Sequence, residues 1–146
     1  MRVDLRRALA TDAAAIAEIA RDSLPERWSA QAFHAELEAR GGIGFVAVAE
    51  SGELLGYALA ARAHTELEIR SLAVASAHRR RGLGARLLAA LLEAERCQGT
   101  SDVVLEVRRS NAAAQQLYAA AGFKPCGERP GYYADGEMAI VMAARL

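Results

Sequence analysis

The stretch that decides the fold is residues 74–85, VASAHRRRGLGA. A strand ends at Val74, a short basic loop follows, and Gly82 and Gly84 open a long amphipathic helix. Unpaired N–H groups and the helix dipole make a helix start electropositive, and glycine lets an anion approach the backbone closely. The stretch therefore predicts a phosphate site between a strand and a helix. For the three arginines alone, a solvated basic turn is the open alternative.

Hydrophobic periodicity on both sides of this stretch predicts an element order of β-α-α-β-β-β-α-β-α-β-β. Thr11-Asp12 and Ser29 are the expected caps of the first two helices. This mixture of hairpins and crossovers predicts an α/β (α+β) domain over residues 1–146, with a mixed sheet and helices on both of its faces. The predicted strands are residues 2–6, 43–49, 54–61, 66–74, 101–107 (buried on both faces), a segment from 123 onward, and 138–143; the predicted longer helices are 82–97 and 111–121.

Composition excludes several classes of protein. The chain has 146 residues with 18 basic and 18 acidic side chains, so it lacks the charge excess of a nucleic-acid binder. Its apolar content argues against disorder, and no apolar run is long enough to span a bilayer. The first residues lead into no apolar signal segment, so we expect a cytoplasmic location without membrane attachment. The cysteines and histidines are scattered, and no metal site is predicted.

A second stretch of functional interest is residues 105–118, LEVRRSNAAAQQLY. Glu106 stands at the end of an apolar strand, where a carboxylate is out of place unless it faces a cleft. Asn111, Ala114 and Tyr118 fall at i, i+3 and i+7, which places them on one helical face. These groups can therefore converge on one groove. Ordinary packing is the open alternative for a tyrosine in an alanine-rich helix.

Together the two stretches resemble the GNAT superfamily of acetyl-CoA-dependent N-acetyltransferases. Arg79, Gly82 and Gly84 match its [QR]-x-x-G-x-[GA] pattern, and residues 111–118 match its N-x-x-A-x-x-L-Y pattern. A closer resemblance is to the bacterial ribosomal-protein-alanine N-acetyltransferases (RimI). Trp28-Ser29 ahead of Phe33, residues 105–114, and Tyr132-Tyr133 before an acidic loop carry that resemblance. Residue 71 departs from it, because the family usually has Asn where this chain has Ser.

The resemblance implies a mostly antiparallel sheet of about seven strands with four helices, and acetyl-CoA as the donor without a metal. It implies direct attack by the amine, with Glu106 as base and Tyr118 as acid. An α-amine has a pKa of about 8, so a modest base suffices. The residues implied to bind acetyl-CoA are Leu72, Ala73 and Val74 on the strand; Arg79, Arg80, Arg81, Gly82, Leu83, Gly84 and Ala85 in the phosphate loop; and Asn111.

The acceptor implied by the resemblance is a protein N-terminus, specifically the N-terminal alanine of a small-subunit ribosomal protein. Tyr132 and Tyr133 would clamp the peptide, and Glu66, with Glu68, would attract its amine. Hairpin packing for the tyrosines and a solvated strand face for the glutamates remain alternatives. So do two other functions: acetylation of a small amine or lysine side chain, and acetyl-CoA sensing without catalysis.

Overall fold

The computed structural model describes residues 2–25 and 28–146; Met1, Glu26 and Arg27, within the predicted domain of residues 1–146, lie outside this part. The strands and helices follow the predicted order. The strands are β1 (Val3–Arg7), β2 (Gly42–Ala49), β3 (Leu54–Ala63), β4 (Glu66–Val74), β5 (Asp102–Arg108), β6 (Lys124–Arg129) and β7 (Ala139–Arg145). The helices are α1 (Ala13–Ser23), α2 (Ala30–Glu38), α3 (Leu83–Arg96) and α4 (Ala112–Ala120).

All seven strands form one sheet in the order β1-β2-β3-β4-β5-β7-β6. Only β4 and β5 run parallel, because α3 connects them by a crossover. One buried cluster joins α3 and α4 to one face of the sheet through residues such as Leu87 and Leu105. A second cluster joins α1 and α2 to the other face through Ile16 and Phe33. The predicted fold class, a mostly antiparallel mixed sheet with four helices, is confirmed.

The two parallel strands separate soon after they begin. Within these strands the register covers three residue pairs, from Glu66 and Asp102 to Glu68 and Val104. On its other edge β4 pairs with β3, with a bulge at Arg70, which the register with β3 skips. A bulge increases local twist and bends a strand. The carboxyl-terminal halves of β4 and β5 therefore diverge and leave a cleft between them.

Two local predictions need correction. Asp12 is the N-cap residue of α1, as predicted, but its side chain makes no capping hydrogen bond to this helix. Instead its carboxylate accepts two hydrogen bonds from Arg6, at 2.8 and 3.0 Å, and one from the Leu9 N–H at 2.8 Å. The strand β5 is buried on one face only: Val103, Leu105 and Val107 are buried, and the alternating residues are half-buried. The half-buried face includes Glu106, which borders the cleft.

We expect Asp12→Ala to lower the free energy of unfolding at pH 7 by about 1.5–3 kcal/mol, the usual contribution of a hydrogen bond to a charged group. The pKa of Asp12 lies below its ordinary value, chiefly because Arg6 donates side-chain hydrogen bonds to it. A depressed folded-state pKa gives stability that is present above the unfolded-state pKa of about 3.9. That stability is lost as the pH falls through the folded-state pKa. Urea unfolding should therefore show that the difference in unfolding free energy between Asp12→Ala and the wild type is smaller at acidic pH than at neutral pH.

The control for this experiment is Asp4→Ala, because Asp4 is an exposed carboxylate 3.5 Å from Arg2. Exposed ion pairs contribute little, so this variant should stay within about 0.5 kcal/mol of the wild type. A difference between Asp12→Ala and wild type that does not change with pH would contradict the assignment.

Candidate active site

A cavity of about 670 Å³ opens where β4 and β5 diverge. Its walls are the carboxyl-terminal halves of the two strands, the end of α1, the start of α4, and the loop before β7. The structure therefore brings together side chains that are far apart in the sequence. The residues of the predicted site that line the cavity are Leu72, Glu106, Asn111, Tyr118, Tyr132 and Tyr133.

Glu106 projects from β5 into the cavity and is held by two neighbours. Its side chain is 15% exposed, and its Oε1 lies 3.6 Å from Nε of Arg129. The hydroxyl of Tyr132 donates a hydrogen bond of 3.3 Å to Oε2. The carboxylate that looked out of place on an apolar strand therefore faces the cleft, as predicted, and has a defined orientation.

Tyr118 lies on the inner wall of the cavity. It is buried, and its ring packs edge-on against Phe123 with centroids 5.6 Å apart. Burial raises the pKa of Tyr118 to about 12, with smaller contributions from Tyr57 and Tyr133. The hydroxyl group therefore stays protonated throughout the neutral pH range and is a possible proton donor.

Asn111 serves as the N-cap of α4. Its Oδ1 accepts a hydrogen bond of 3.1 Å from the Ala114 N–H, the usual bonding of a helix cap. The sequence predicted Asn111 as the first residue of this helix, whereas the structure places it one position before the helix begins. Asn111, Ala114 and Tyr118 nevertheless all line the cavity, so the predicted convergence of these residues is confirmed.

The loop before α3 presents backbone N–H groups without acceptors. Among the described residues, none accepts a hydrogen bond from the N–H groups of Leu83, Gly84 or Ala85 at the start of this helix. Gly82 has a φ of +75°, a conformation that side chains disfavour, and space is open where its Cβ would be. A Cβ on Gly84 would point toward Leu117 of α4, 3.5 Å away.

The three arginines of this loop differ in their surroundings. Arg79 donates to the carbonyl oxygen of Val74 at 3.0 Å and to the Ser23 hydroxyl at 2.8 Å. Its side chain therefore connects the loop to α1. Arg80 and Arg81 are exposed, and neither guanidinium pairs with a carboxylate in the described parts of the chain. Arg80 also has a positive φ of 64°.

The three residues of β4 that were expected to bind the acetyl donor differ in orientation. Leu72 lines the cavity, whereas Ala73 is buried against the cluster of α1 and α2. The Val74 carbonyl is taken by Arg79. Because the register with β5 ends at Glu68, this half of β4 has an edge without a strand partner.

The structure places Glu68, and not Glu66, at the cavity. Glu66 is exposed at the closed end of the cleft, where it pairs in register with Asp102. Glu68 lies one pleat further along β4 and lines the cavity, together with Arg70, which forms ion pairs of 2.8 Å with Glu68 and with Glu36. The alternating pattern identified the correct face of β4. It did not show where the two strands separate.

Three cavity residues had no site role in the sequence-based prediction. Ser71 lines the cavity, and its hydroxyl lies 2.6 Å from that of the buried Tyr57. Arg108 also lines it, and the i, i+2 spacing from Glu106 was the available signal. Trp28, which carries part of the family resemblance, also lines the cavity and packs against Phe33 with centroids 5.1 Å apart.

Two further properties bear on the chemistry of the site. Within residues 2–25 and 28–146, no three His, Cys, Asp or Glu side chains form a group that could hold a metal ion. Among the helices described, none is both long and apolar enough to cross a bilayer.

Comparison with known proteins identifies the family. Residues 13–123, most of the chain, match the Acetyltransferase (GNAT) family. The chain belongs to the GNAT family of acetyltransferases. It is therefore an enzyme of the acetyltransferase class, and the resemblance of its two sequence motifs to GNAT enzymes is confirmed.

Individual relatives include N-terminal acetyltransferases. An N-alpha-acetyltransferase of Sulfurisphaera tokodaii is 35% identical, with 97% of this chain and 92% of that protein covered. An uncharacterized protein of Mycobacterium leprae, ML0378, is 41% identical over 79% of this chain, which spans only 32% of that relative.

Solved GNAT structures agree with this assignment. The ribosomal-protein-S18-alanine N-acetyltransferase of Escherichia coli superposes with a TM-score of 0.91 at 30% identity, covering 99% of this chain and 94% of that one. NAA60 of Arabidopsis thaliana, solved in complex with acetyl-CoA, shares the fold with a TM-score of 0.88 at 18% identity, covering 99% of each chain. A protein with the fold of this chain thus binds acetyl-CoA.

We expect Tyr118 to ionise near pH 12, because its hydroxyl is buried. An NMR titration of the tyrosine ring carbons, with Tyr118→Phe to assign the signal, measures this directly. Solvated tyrosine provides the reference and ionises near pH 10. An ionisation of Tyr118 at that reference value would show that its hydroxyl is solvated, and would contradict its placement on the inner wall.

Proposed function

We propose that this enzyme transfers the acetyl group of acetyl-CoA to the N-terminal α-amine of a protein. The observation that carries the proposal is Glu106, a carboxylate in the cavity held by Tyr132, in the same cavity as the protonated phenol of Tyr118. The names of relatives support the class of acceptor, since one is an N-alpha-acetyltransferase and another a ribosomal-protein-S18-alanine N-acetyltransferase. The specific acceptor proposed is an N-terminal alanine of a ribosomal protein, which implies action in the cytoplasm.

The residues around the α3 start fit acetyl-CoA. The unpaired N–H groups of Leu83, Gly84 and Ala85, with the helix dipole, suit a pyrophosphate. Gly82 leaves open space beside them, and the unpaired edge of β4 suits the amide-bearing arm of the donor. Acetyl-CoA supplies a thioester that an amine can attack. We assign Leu72, Ala73, Val74, residues 79–85 and Asn111 to its binding, with Arg79 acting through the shape of the loop.

Glu106 is the proposed base. An α-amine with a pKa of about 8 is roughly 10% neutral at pH 7, so a carboxylate need only accept its proton during attack. The hydrogen bond from Tyr132 and the proximity of Arg129 keep the carboxylate facing the cavity. Glu106 accepts the amine proton directly or through one water molecule.

Tyr118 is the proposed acid. Its raised pKa keeps the phenol protonated at neutral pH, so it can donate a hydrogen bond to the departing sulfur. Because a free thiol has a pKa of about 8.5, below that of Tyr118, this hydrogen bond stabilises the negative charge that develops on the sulfur, and the sulfur takes up its proton as the product leaves. Direct transfer needs no nucleophilic side chain, and the base and the acid of the reaction are then both supplied by cavity residues.

The proposed acceptor site is the mouth of the cavity. Tyr132 is 48% exposed, one of two large apolar side chains that are exposed in the described chain, and it lies beside Glu106. Tyr133 packs edge-on against it, with ring centroids 5.0 Å apart. Glu68 borders the same space from β4, so of the two glutamates that the sequence suggested, Glu66 and Glu68, we assign the attraction of the ammonium group to Glu68.

We expect Glu106→Gln to lower kcat by about 10²–10⁴-fold, the usual contribution of a positioned acid–base group. The amide keeps the shape of the side chain, so the Kd for acetyl-CoA should stay within about twofold of wild type. Glu128→Gln is the matched control, because Glu128 lies on the exposed strand β6. Steady-state kinetics and calorimetry measure the two effects. Full activity of Glu106→Gln at neutral pH would rule out Glu106 as the base.

The acceptor class is tested with a panel of peptides. Peptides that begin with Ala, Ser, Gly or Met are compared with the same peptides blocked at the N-terminus and carrying an internal lysine, and with small amines. We expect acetylation of free N-termini, with Ala preferred, because a lysine with a pKa near 10.4 is below roughly 0.1% neutral at pH 7. Mass spectrometry locates the acetyl group. Acetylation confined to lysine or to small amines would reject the proposal.

A further inference from the structure

Arg108, the last residue of β5, binds the loop between β6 and β7 with three contacts. Its Nη1 donates hydrogen bonds of 2.8 Å to Oδ2 of Asp135 and to Oε1 of Glu137. Its guanidinium carbon lies 4.1 Å from the centre of the Tyr133 ring. The side chain is only 14% exposed. These three partners belong to one short loop, so Arg108 connects β5 to that loop.

The loop is fastened from a second side as well. Oε2 of Glu137 accepts a hydrogen bond of 2.8 Å from the Ser110 N–H, just before α4. This bond and the contact with Arg108 hold the pKa of Glu137 below its ordinary value. Glu137 therefore stays ionised at neutral pH. The loop is thus attached to both elements that form one wall of the cavity, β5 and the start of α4.

A continuous chain of contacts leads from Arg108 to Glu106. Arg108 lies against Tyr133, Tyr133 packs edge-on against Tyr132, and Tyr132 donates its hydroxyl hydrogen to Glu106. Glu106 and Arg108 stand two residues apart on β5, so both side chains leave the same face of the strand. The contacts therefore start at Arg108, pass through Tyr133 and Tyr132, and return to the same strand at Glu106.

We propose that Arg108 is a positioning residue, which orders the loop so that Tyr132 and Tyr133 are held ready for the acceptor beside Glu106. This inference rests on the proposed function of the site. Ordering a loop in advance lowers the entropic penalty of binding, so the loss of Arg108 acts on acceptor affinity. Without Arg108, Asp135 and Glu137 would also repel each other. Most residues assigned to acetyl-CoA lie on β4 and at the start of α3, away from the loop, and Asn111, at the start of α4, keeps its own hydrogen bond from the Ala114 N–H.

The test compares Arg108→Met, Arg108→Lys and Arg109→Met. Arg109 is the matched control: it is the next residue, it is exposed, and its guanidinium bonds to no described residue. For Arg108→Met we expect the acceptor KM to rise by about 10- to 100-fold, as for the loss of a charged hydrogen bond. The Kd for acetyl-CoA should change less than about twofold, and kcat at saturating acceptor less than KM. Arg108→Lys keeps the charge but contacts fewer partners, so its acceptor KM should lie between that of the wild type and that of Arg108→Met.

A double-mutant cycle examines whether Arg108 acts through the tyrosines. In a Tyr133→Leu background, Arg108→Met should raise the acceptor KM much less than in the wild type. Equal effects in both backgrounds, or a parallel rise in the acceptor KM and the acetyl-CoA Kd, would overturn the inference. If Arg108→Met does not fold, the same comparisons with Arg108→Lys decide the question.

A second measurement needs no acceptor and separates this inference from the proposed function. Hydrogen exchange of the Tyr133 and Gly136 amides, which bond within the loop at 3.2 and 2.8 Å, should quicken in Arg108→Met at an unchanged melting temperature. Unchanged exchange would refute the ordering role. If wild type acetylates lysine or small amines instead of N-termini, the proposed function fails, and the kinetic test of Arg108 proceeds with the acceptor that reacts.

Discussion

The site depends on the early separation of two parallel strands. β4 and β5 pair over three residues, and each then remains paired on its outer edge, β4 with β3 and β5 with β7. Each wall of the cavity is therefore held rigidly from outside while its inner edge is free. Backbone N–H and C=O groups that lie away from water need hydrogen-bond partners, and those on the inner edge of β4 have no partner strand beyond Glu68. A ligand that forms hydrogen bonds with this edge supplies those partners.

The two walls are joined by helix packing rather than by strand pairing. One buried cluster includes Leu87 of α3, Tyr118 of α4, Leu67 of β4 and Leu105 of β5, so it passes beneath the opening. Tyr118 belongs to this core and also lines the cavity. Its raised pKa follows from that double position, because the same burial that packs the ring also removes water from the hydroxyl.

Most of the fold could be predicted from the sequence, because strand alternation, helical spacing and capping residues are local signals. Ser29, for example, caps α2 as expected, with its hydroxyl accepting the Ala32 N–H at 3.1 Å. The position of the cleft could not be predicted, since it depends on the bulge at Arg70 and on where pairing stops. That is why the alternating pattern offered both Glu66 and Glu68 for the acceptor and could not show that Glu68, and not Glu66, lines the cavity. Family patterns supplied the roles proposed for Glu106 and Tyr118.

The arginines show why a charge pattern alone misleads in this chain. The run Arg79 to Arg81 looks like one basic patch, yet Arg79 is committed to Val74 and Ser23. Arg108 similarly binds Asp135 and Glu137, and Arg62 binds the buried Glu95 at 2.8 Å. Guanidinium groups form planar, directional contacts with several acceptors at once, so they suit the connection of loops to strands. With 18 basic and 18 acidic residues, the chain has enough carboxylates for such pairing. The N–H groups at the start of α3 supply positive potential there without requiring an excess of basic residues.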